Sequence, residues 1–330
     1  MAQPSPYRAA CILFLTFLMA PFQAGAQQRS ASSGPTRVSF PSGSVTLGGT
    51  VYKPPGEGPF PAVVYNHGSA PGSVNDLAFE QLGPLFVQHG WVFFAPYRRG
   101  QGLSAAAGPY VVDEIAAATH TRLRTTLWPV VVATIAVIFG ILTVMRRQRA
   151  WIRRSAAAAV GLVAAVLSLS IAADARADAI MQVLQTDQLT DHLAAYDWLK
   201  RQSFVDADRI ATAGNSFGGI ITLLAAKQVR YCAAVDAAGG AENWSSAVAD
   251  GMIEAARQAR APVFLFQAAN DYSLEPTQRL GEEMRQAGRA YEAKIYPAFG
   301  SSRSDGHSFA WRGSAVWSED VFRFLNTHCG

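Results

Sequence analysis

Short apolar runs bounded by turn residues set the frame of the chain. Phe60–Tyr65, Trp91–Pro96, Arg209–Ala213, Ala261–Gln267 and Tyr291–Tyr296 read as strands, and several are apolar at nearly every position, as in a parallel sheet buried on both faces. Leu189–Gln202, Ile220–Gln228 and Val316–Thr327 read as the helices between and after them. Strands that alternate with helices predict an α/β domain. Two longer runs interrupt this alternation: Trp128–Met145 and Ser155–Ala173 carry no charge, and Arg146–Arg154 between them holds five arginines. Each run reaches the roughly 18 residues a bilayer-spanning helix needs, and Trp128 and Trp151 fall near the expected interfaces. The pattern therefore predicts an inserted two-helix transmembrane hairpin over residues 121–180, dividing one domain into parts 38–120 and 181–330. The other arrangement for such a pair is a lid packed on the domain. From Ser155 to Gln202 there is no proline and only Gly161, so the second span runs on toward the nucleophile strand with at most a break near Thr186-Asp187.

Charge and the N-terminus give an orientation. Net charge is +4, yet Ile115–Ala173 alone contains seven arginines and no acid, so the rest of the chain is net acidic and nucleic-acid binding loses its basis. Arginines in the hairpin turn place that turn in the cytoplasm and both hairpin ends on the exported side. Residues 1–26 agree: Arg8, the apolar stretch Ala9–Phe22 and Ala24-Gly25-Ala26 read as a secretory signal peptide with its cleavage site. Residues 27–37 read as a polar, disordered leader. Cys232 lies in an apolar run and Cys329 at the terminus, and the two are read as separate thiols with no disulfide framework.

The chemistry concentrates at Gly214-Asn215-Ser216-Phe217-Gly218-Gly219, a strand, a sharp turn and a helix with serine at the apex. A serine pushed out on a strained turn needs neighbours without Cβ atoms. An acid and then a histidine should follow on later loops, and Asp271 after Ala261–Gln267 and His307 after Tyr291–Tyr296 fill those places. His307 is expected on a loop, Pro297–Gly306 delivering it; a role for Asp271 in capping a helix that starts near Leu274 is the bland alternative. An oxyanion hole would take the N–H of Phe217 and that of Ser69, with Gly68 as the alternative, while His67 reads as structural. Trp244, Tyr272, Phe299 and Trp311 are candidates for an apolar substrate pocket. No metal-ligand spacing, dinucleotide fingerprint or P-loop occurs, and Arg99-Gly100-Gln101-Gly102 reads as a turn; the chemistry calls for no metal or cofactor.

His67-Gly68-Ser69, Tyr97–Gly102, Phe204–Ile210, Gly214–Gly219, Asn270-Asp271-Tyr272 and Gly306-His307 together resemble the dienelactone-hydrolase-like branch of the α/β-hydrolases, close to prolyl-oligopeptidase-type serine hydrolases, over about Val38–Thr327. The resemblance implies an α/β-hydrolase fold, a mostly parallel eight-stranded sheet flanked by helices, and a triad carried onto Ser216, Asp271 and His307. True dienelactone hydrolases use cysteine as nucleophile, so Ser216 points to a general esterase or acyl hydrolase acting on a small-molecule ester. The competing readings are a prolyl-oligopeptidase-type peptidase, for which Glu275 is the nearby acid to watch, and a non-catalytic scaffold held in the lipid bilayer.

Overall fold

A computed structural model describes residues 34–70 and 72–330; the expected signal peptide and most of the leader lie outside the described residues. Eight strands form one sheet: β1 (Thr36–Ser42), β2 (Val45–Tyr52), β3 (Phe60–Asn66), β4 (Val92–Pro96), β5 (Val205–Asn215), β6 (Ala234–Ala237), β7 (Val263–Ala268) and β8 (Tyr291–Tyr296). Their order is β1-β2-β4-β3-β5-β6-β7-β8, with β1 and β2 antiparallel to each other, β2 antiparallel to β4, and every later pairing parallel. β1 starts at Thr36, inside the segment assigned by composition to the leader.

The apolar runs alternate between two helical layers because successive strand residues point to opposite faces. Val64, Phe94, Ile210, Ala234 and Leu265 pack beneath α4 (Leu189–Lys200), α5 (Phe217–Gln228), α6 (Ser246–Arg257) and α7 (Glu275–Gln286). Val63, Phe93, Ala211, Val235 and Phe264 pack beneath α1 (Gly72–Gln88), α8 (Arg303–Arg312) and α9 (Ser314–Cys329). The carboxyl ends of the parallel strands thus converge on one edge, where α/β folds build their sites.

The cysteine reading is corrected here: Cys232 and Cys329 form a disulfide across 97 residues. Cys329 is the buried last residue of α9, which lies across the sheet with Phe324 and Leu325 beside Ala233 and Val235, and Cys232 leads into that strand. Neither neighbourhood is local in sequence, so spacing alone could not pair them. Closing a loop of this length is worth roughly 5 kcal/mol. Cys329→Ser is expected to lower the urea-unfolding free energy by about that amount; unchanged unfolding would show that the bond adds nothing.

Between β4 and β5 the chain makes a short 3-10 helix (Gly102–Ala107), then α2 (Val111–Val144) and α3 (Ala150–Val183), and a π turn (Leu184–Gln188) passes α3 directly into α4. At 1.5 Å per residue each long helix measures about 50 Å. Only their roots enter the core: Val111 and Ile115 from α2, and Ala179, Ile180, Met181 and Val183 from α3. Beyond the roots α2 and α3 pack along each other, and their most apolar stretches bury none of their residues in the protein; Trp128 is 69% exposed and Val144 84%. Arg99, in the loop after β4, clamps the return of the hairpin, pairing with Asp187 in the π turn (2.7 Å) and with Asp191 on α4 (2.7 Å).

Candidate active site

β5 ends at Asn215 and α5 begins at Phe217, leaving Ser216 between them at φ 56°, ψ −123°. That left-handed backbone costs a non-glycine residue on the order of 1–3 kcal/mol and persists only where its surroundings hold it. They do: Ser216 N–H donates to the Ala237 carbonyl at 3.1 Å, and Ser216 is only 7% exposed. The following glycines let α5 pass close behind. A Cβ on Gly218 would lie 1.9 Å from the Asn66 carbonyl oxygen, and one on Gly219 would lie 2.1 Å from Asp236 Oδ1. The sequence requirement for small neighbours is thus a packing requirement against β3 and β6.

Asp271 follows β7 in a turn closed by its N–H on the Ala268 carbonyl, and its side chain is fully buried. It does not cap α7, whose N-cap is Leu274. His307 Nδ1 lies 2.8 Å from Asp271 Oδ1, which also accepts the Tyr272 N–H at 2.6 Å. An acid that accepts from Nδ1 fixes the imidazole with Nε2 turned the other way. His307 Nε2 is buried and takes no hydrogen bond among the described residues, so the Ser216–His307 contact is open in this structure. Histidine-to-nucleophile contacts are often long before substrate binds.

One expectation about this histidine is corrected: His307 sits on helix α8, not on a loop. The Gly- and Ser-rich run hides a capping box, in which Ser302 accepts the Asp305 N–H while the Asp305 carboxylate accepts the Ser302 N–H. The pattern Ser302-x-x-Asp305 was the available signal. A residue that sequence reasoning passed over then fastens α8 to the acid: Asn270 Nδ2 donates to the carbonyls of Phe299 and Ser302 (both 2.9 Å), and Asn270 Oδ1 accepts the Phe299 N–H at 2.9 Å. Gly306 packs against Asn270 so closely that a Cβ would lie 2.7 Å from its backbone.

The loop after β3 reaches the serine from the other side. A Cβ on Gly68 would stand 3.5 Å from the Ser216 Cβ, and Ser69 is the next residue. His67 is fully occupied: Nδ1 lies 2.8 Å from the Gly68 carbonyl oxygen, and Nε2 accepts the Arg98 N–H at 3.3 Å. Burial, reinforced by the Arg98 charge, holds its pKa well below the ordinary histidine value, so it stays neutral and has no free nitrogen for proton transfer. Of the pocket candidates, Tyr272 stands edge-on to the His307 ring at 5.3 Å. Trp244 packs beside Gly240 and the core under α6, whereas Trp311 and Phe299 pack into the layer with Phe309. Glu275 is the exposed first residue of α7. No group of three or more His, Cys, Asp or Glu among the described residues is placed to hold a metal ion.

Asp236, buried behind the elbow on β6, is another residue composition did not single out. Burial raises its pKa to about 7, opposed by the Gly239 N–H that donates to Oδ1 at 2.8 Å. The folded state therefore holds a proton that the unfolded chain releases near the ordinary carboxylate value, and stability falls as pH rises from about 4 through 7. Asp236→Asn keeps the acceptor and removes the titration. It is expected to match the wild type at pH 4 and to be more stable by on the order of 4 kcal/mol at pH 8 in denaturant unfolding; coincident curves at both values would sink this account.

With this geometry in view, comparison with known proteins is informative. The sequence model of the Dienelactone hydrolase family matches residues 48–327. The chain belongs to the dienelactone hydrolase family. No curated protein matches it in sequence. Among solved structures, a putative dienelactone hydrolase from Klebsiella pneumoniae subsp. pneumoniae superposes with TM-score 0.52 at 17% identity, covering 86% of this chain and 98% of that one. A Pyrococcus furiosus esterase gives 0.55 at 12% identity, covering 90% and 92%. Pyrococcus horikoshii acylaminoacyl peptidase gives 0.53 at 15% identity, covering 90% of this chain but 41% of the peptidase. At these identities the structures establish the shared α/β-hydrolase fold. This family member carries serine at the elbow and two long apolar helices inside the domain.

Proposed function

We propose that this dienelactone hydrolase family member is a serine hydrolase that cleaves an ester or related acyl bond through Ser216, His307 and Asp271. The observation that carries the reading is the pairing of His307 with the buried Asp271 at 2.8 Å on the same sheet edge as a serine held at φ 56°. Ser216 is a weak nucleophile unaided; His307 takes its proton as it attacks the acyl carbon and returns the proton to the leaving group, while Asp271 stabilises the imidazolium. The N–H groups of Phe217 and Ser69 receive the developing oxyanion. A fluorophosphonate probe tests this directly: labelling at Ser216 is expected, and an unlabelled folded chain would favour the scaffold reading. A peptidase is the second reading, supported by the likeness to acylaminoacyl peptidase. Acyl esters of graded chain length assayed beside aminoacyl and peptidyl amides separate the two.

The same proposal puts the catalytic domain on the exported side of a membrane, anchored by α2 and α3. Two helices whose apolar stretches are exposed along their length, joined by an arginine-rich turn, support it. The Cys232–Cys329 disulfide supports it independently, since such bonds persist in oxidising compartments.

A further inference from the structure

Each carbonyl of the loop that abuts Ser216 is held by a side chain from farther along the sequence. Arg98, itself buried, donates from Nη1 to the His67 carbonyl at 2.6 Å and from Nη2 to the Gly68 carbonyl at 2.9 Å. Tyr110 donates its hydroxyl to the Ser69 carbonyl. Gln101 Nε2 donates to the Ala70 carbonyl at 2.9 Å, joined there by Asn75 Nδ2 at 3.0 Å. A trans peptide is planar, with its N–H directed opposite to its C=O. Turning the Gly68 carbonyl onto Arg98 therefore aims the Ser69 N–H away from Arg98, and holding the Ser69 carbonyl fixes the next plane. The two peptide planes that meet at the Ser69 Cα are thus set by Arg98 on one side and Tyr110 on the other.

Tyr110 does not belong to the loop it holds. It is the N-cap of α2, the first residue of the hairpin root, followed by the buried Val111 and Ile115. Its placement is rigid: Pro109 packs so tightly on Gly100, at φ +76°, that a Cβ there would lie 1.9 Å from the Pro109 oxygen. The neighbouring Arg99 grips the returning end of the hairpin through Asp187 and Asp191. Both ends of the inserted hairpin are therefore fastened to the segment that shapes the loop beside the serine.

We propose that Tyr110 is a positioning residue, through which the root of the inserted hairpin fixes the carbonyl side of Ser69 while Arg98 aims the Ser69 N–H toward the acyl oxygen. This rests on the serine-hydrolase reading above. It makes the inserted hairpin part of the catalytic architecture as well as an anchor, because a shift of α2 along its axis moves Tyr110 and the Ser69–Ala70 peptide plane, which shares the Ser69 Cα with the plane that carries the Ser69 N–H. Loss of a whole oxyanion donor costs about 10²–10³ in turnover, so misalignment of one is expected to cost about tenfold.

The test uses the full chain in lipid nanodiscs and compares wild type with Tyr110→Phe, which deletes only the hydroxyl. A fluorophosphonate is the first probe because its phosphonyl oxygen enters the same hole. Tyr110→Phe is expected to label at Ser216 with a rate constant about tenfold lower per competent site. With a short-chain acyl ester, kcat is expected to fall by the same factor while KM stays within about twofold, and a boronic acid mimic of the tetrahedral adduct should weaken in parallel with kcat. A purely structural role would reduce the number of competent sites and leave their rate constant unchanged. An unchanged rate constant per labelled site, or a change confined to KM, overturns the assignment of Tyr110. A wild-type chain that does not label overturns the serine-hydrolase reading instead.

Discussion

Ser216→Ala is expected to abolish hydrolysis, lowering kcat by about 10⁴–10⁶-fold while leaving the unfolding transition in place. The substitution removes one hydroxyl from a residue whose structural duties are carried by its backbone, through the N–H on the Ala237 carbonyl. Alanine also relieves nothing at φ 56°, so the strain is the same in both proteins. His307→Ala should cost about as much and the two losses should not multiply, because nucleophile and base act as a unit. Asp271→Asn should cost less, since the geometry survives and the imidazolium loses its counter-charge. Steady-state hydrolysis of a short-chain ester by each purified variant decides the matter. Near-normal turnover in Ser216→Ala, or inactivation by His67→Ala with His307→Ala still active, would overturn the assignment of roles.

Replacing residues 125–173 by a short Gly/Ser linker is expected to move the protein entirely from the membrane to the soluble exported fraction. The wild type should resist a high-salt wash and be released by detergent. The cut removes the exposed stretches that carry Trp128, Phe139 and Leu169 and keeps Val111, Ile115 and Ala179–Val183, the root residues packed in the core. It also keeps Tyr110, Arg99, Asp187 and every proposed catalytic group, so short soluble esters should still be cleaved. Because Cys232 and Cys329 are paired, a cysteine introduced at Gln148 or at Ser301 can be followed by labelling. The Gln148 site should be shielded from an impermeant thiol reagent in intact spheroplasts and the Ser301 site should react. A wild-type chain that fractionates as soluble, or the reverse labelling pattern, would mean that the apolar helices serve another purpose.

What was legible in the sequence was whatever local order encodes. The elbow could be read because strand, serine, glycines and helix are contiguous, and the apolar hairpin because its length and lack of charge are properties of single runs. Asp271 and His307 could be placed because each follows a strand. The helix under His307 was missed because glycine and serine suggest a loop, while the capping interaction between Ser302 and Asp305 that starts α8 is a contact of side chain with backbone. Asn270, Arg98, Tyr110 and Asp236 were missed for a different reason. Each is a polar or aromatic residue whose role is defined by a partner that only the fold brings near, as when Arg98 reaches His67 and Gly68 across some thirty residues. The disulfide belongs to the same class.

The sheet's central pairing sets β3 beside β5, matching Asn66 to Gly214, so the two strands at its middle come from opposite sides of the insertion. In a flexible chain, meeting across such a distance is slow, because loop closure must be completed before any contact rewards it. α2 and α3 alter that search. Once they have paired, the chain from Tyr110 to Gln188 leaves and returns at nearly the same place, held together by Arg99 and Asp187, and the long connection behaves as a short clip. Helical hairpins assemble from local contacts, early and independently of the sheet. On the membrane-anchored reading proposed above, the expected order of assembly is pairing of α2 with α3 first and then docking of the two halves of the sheet.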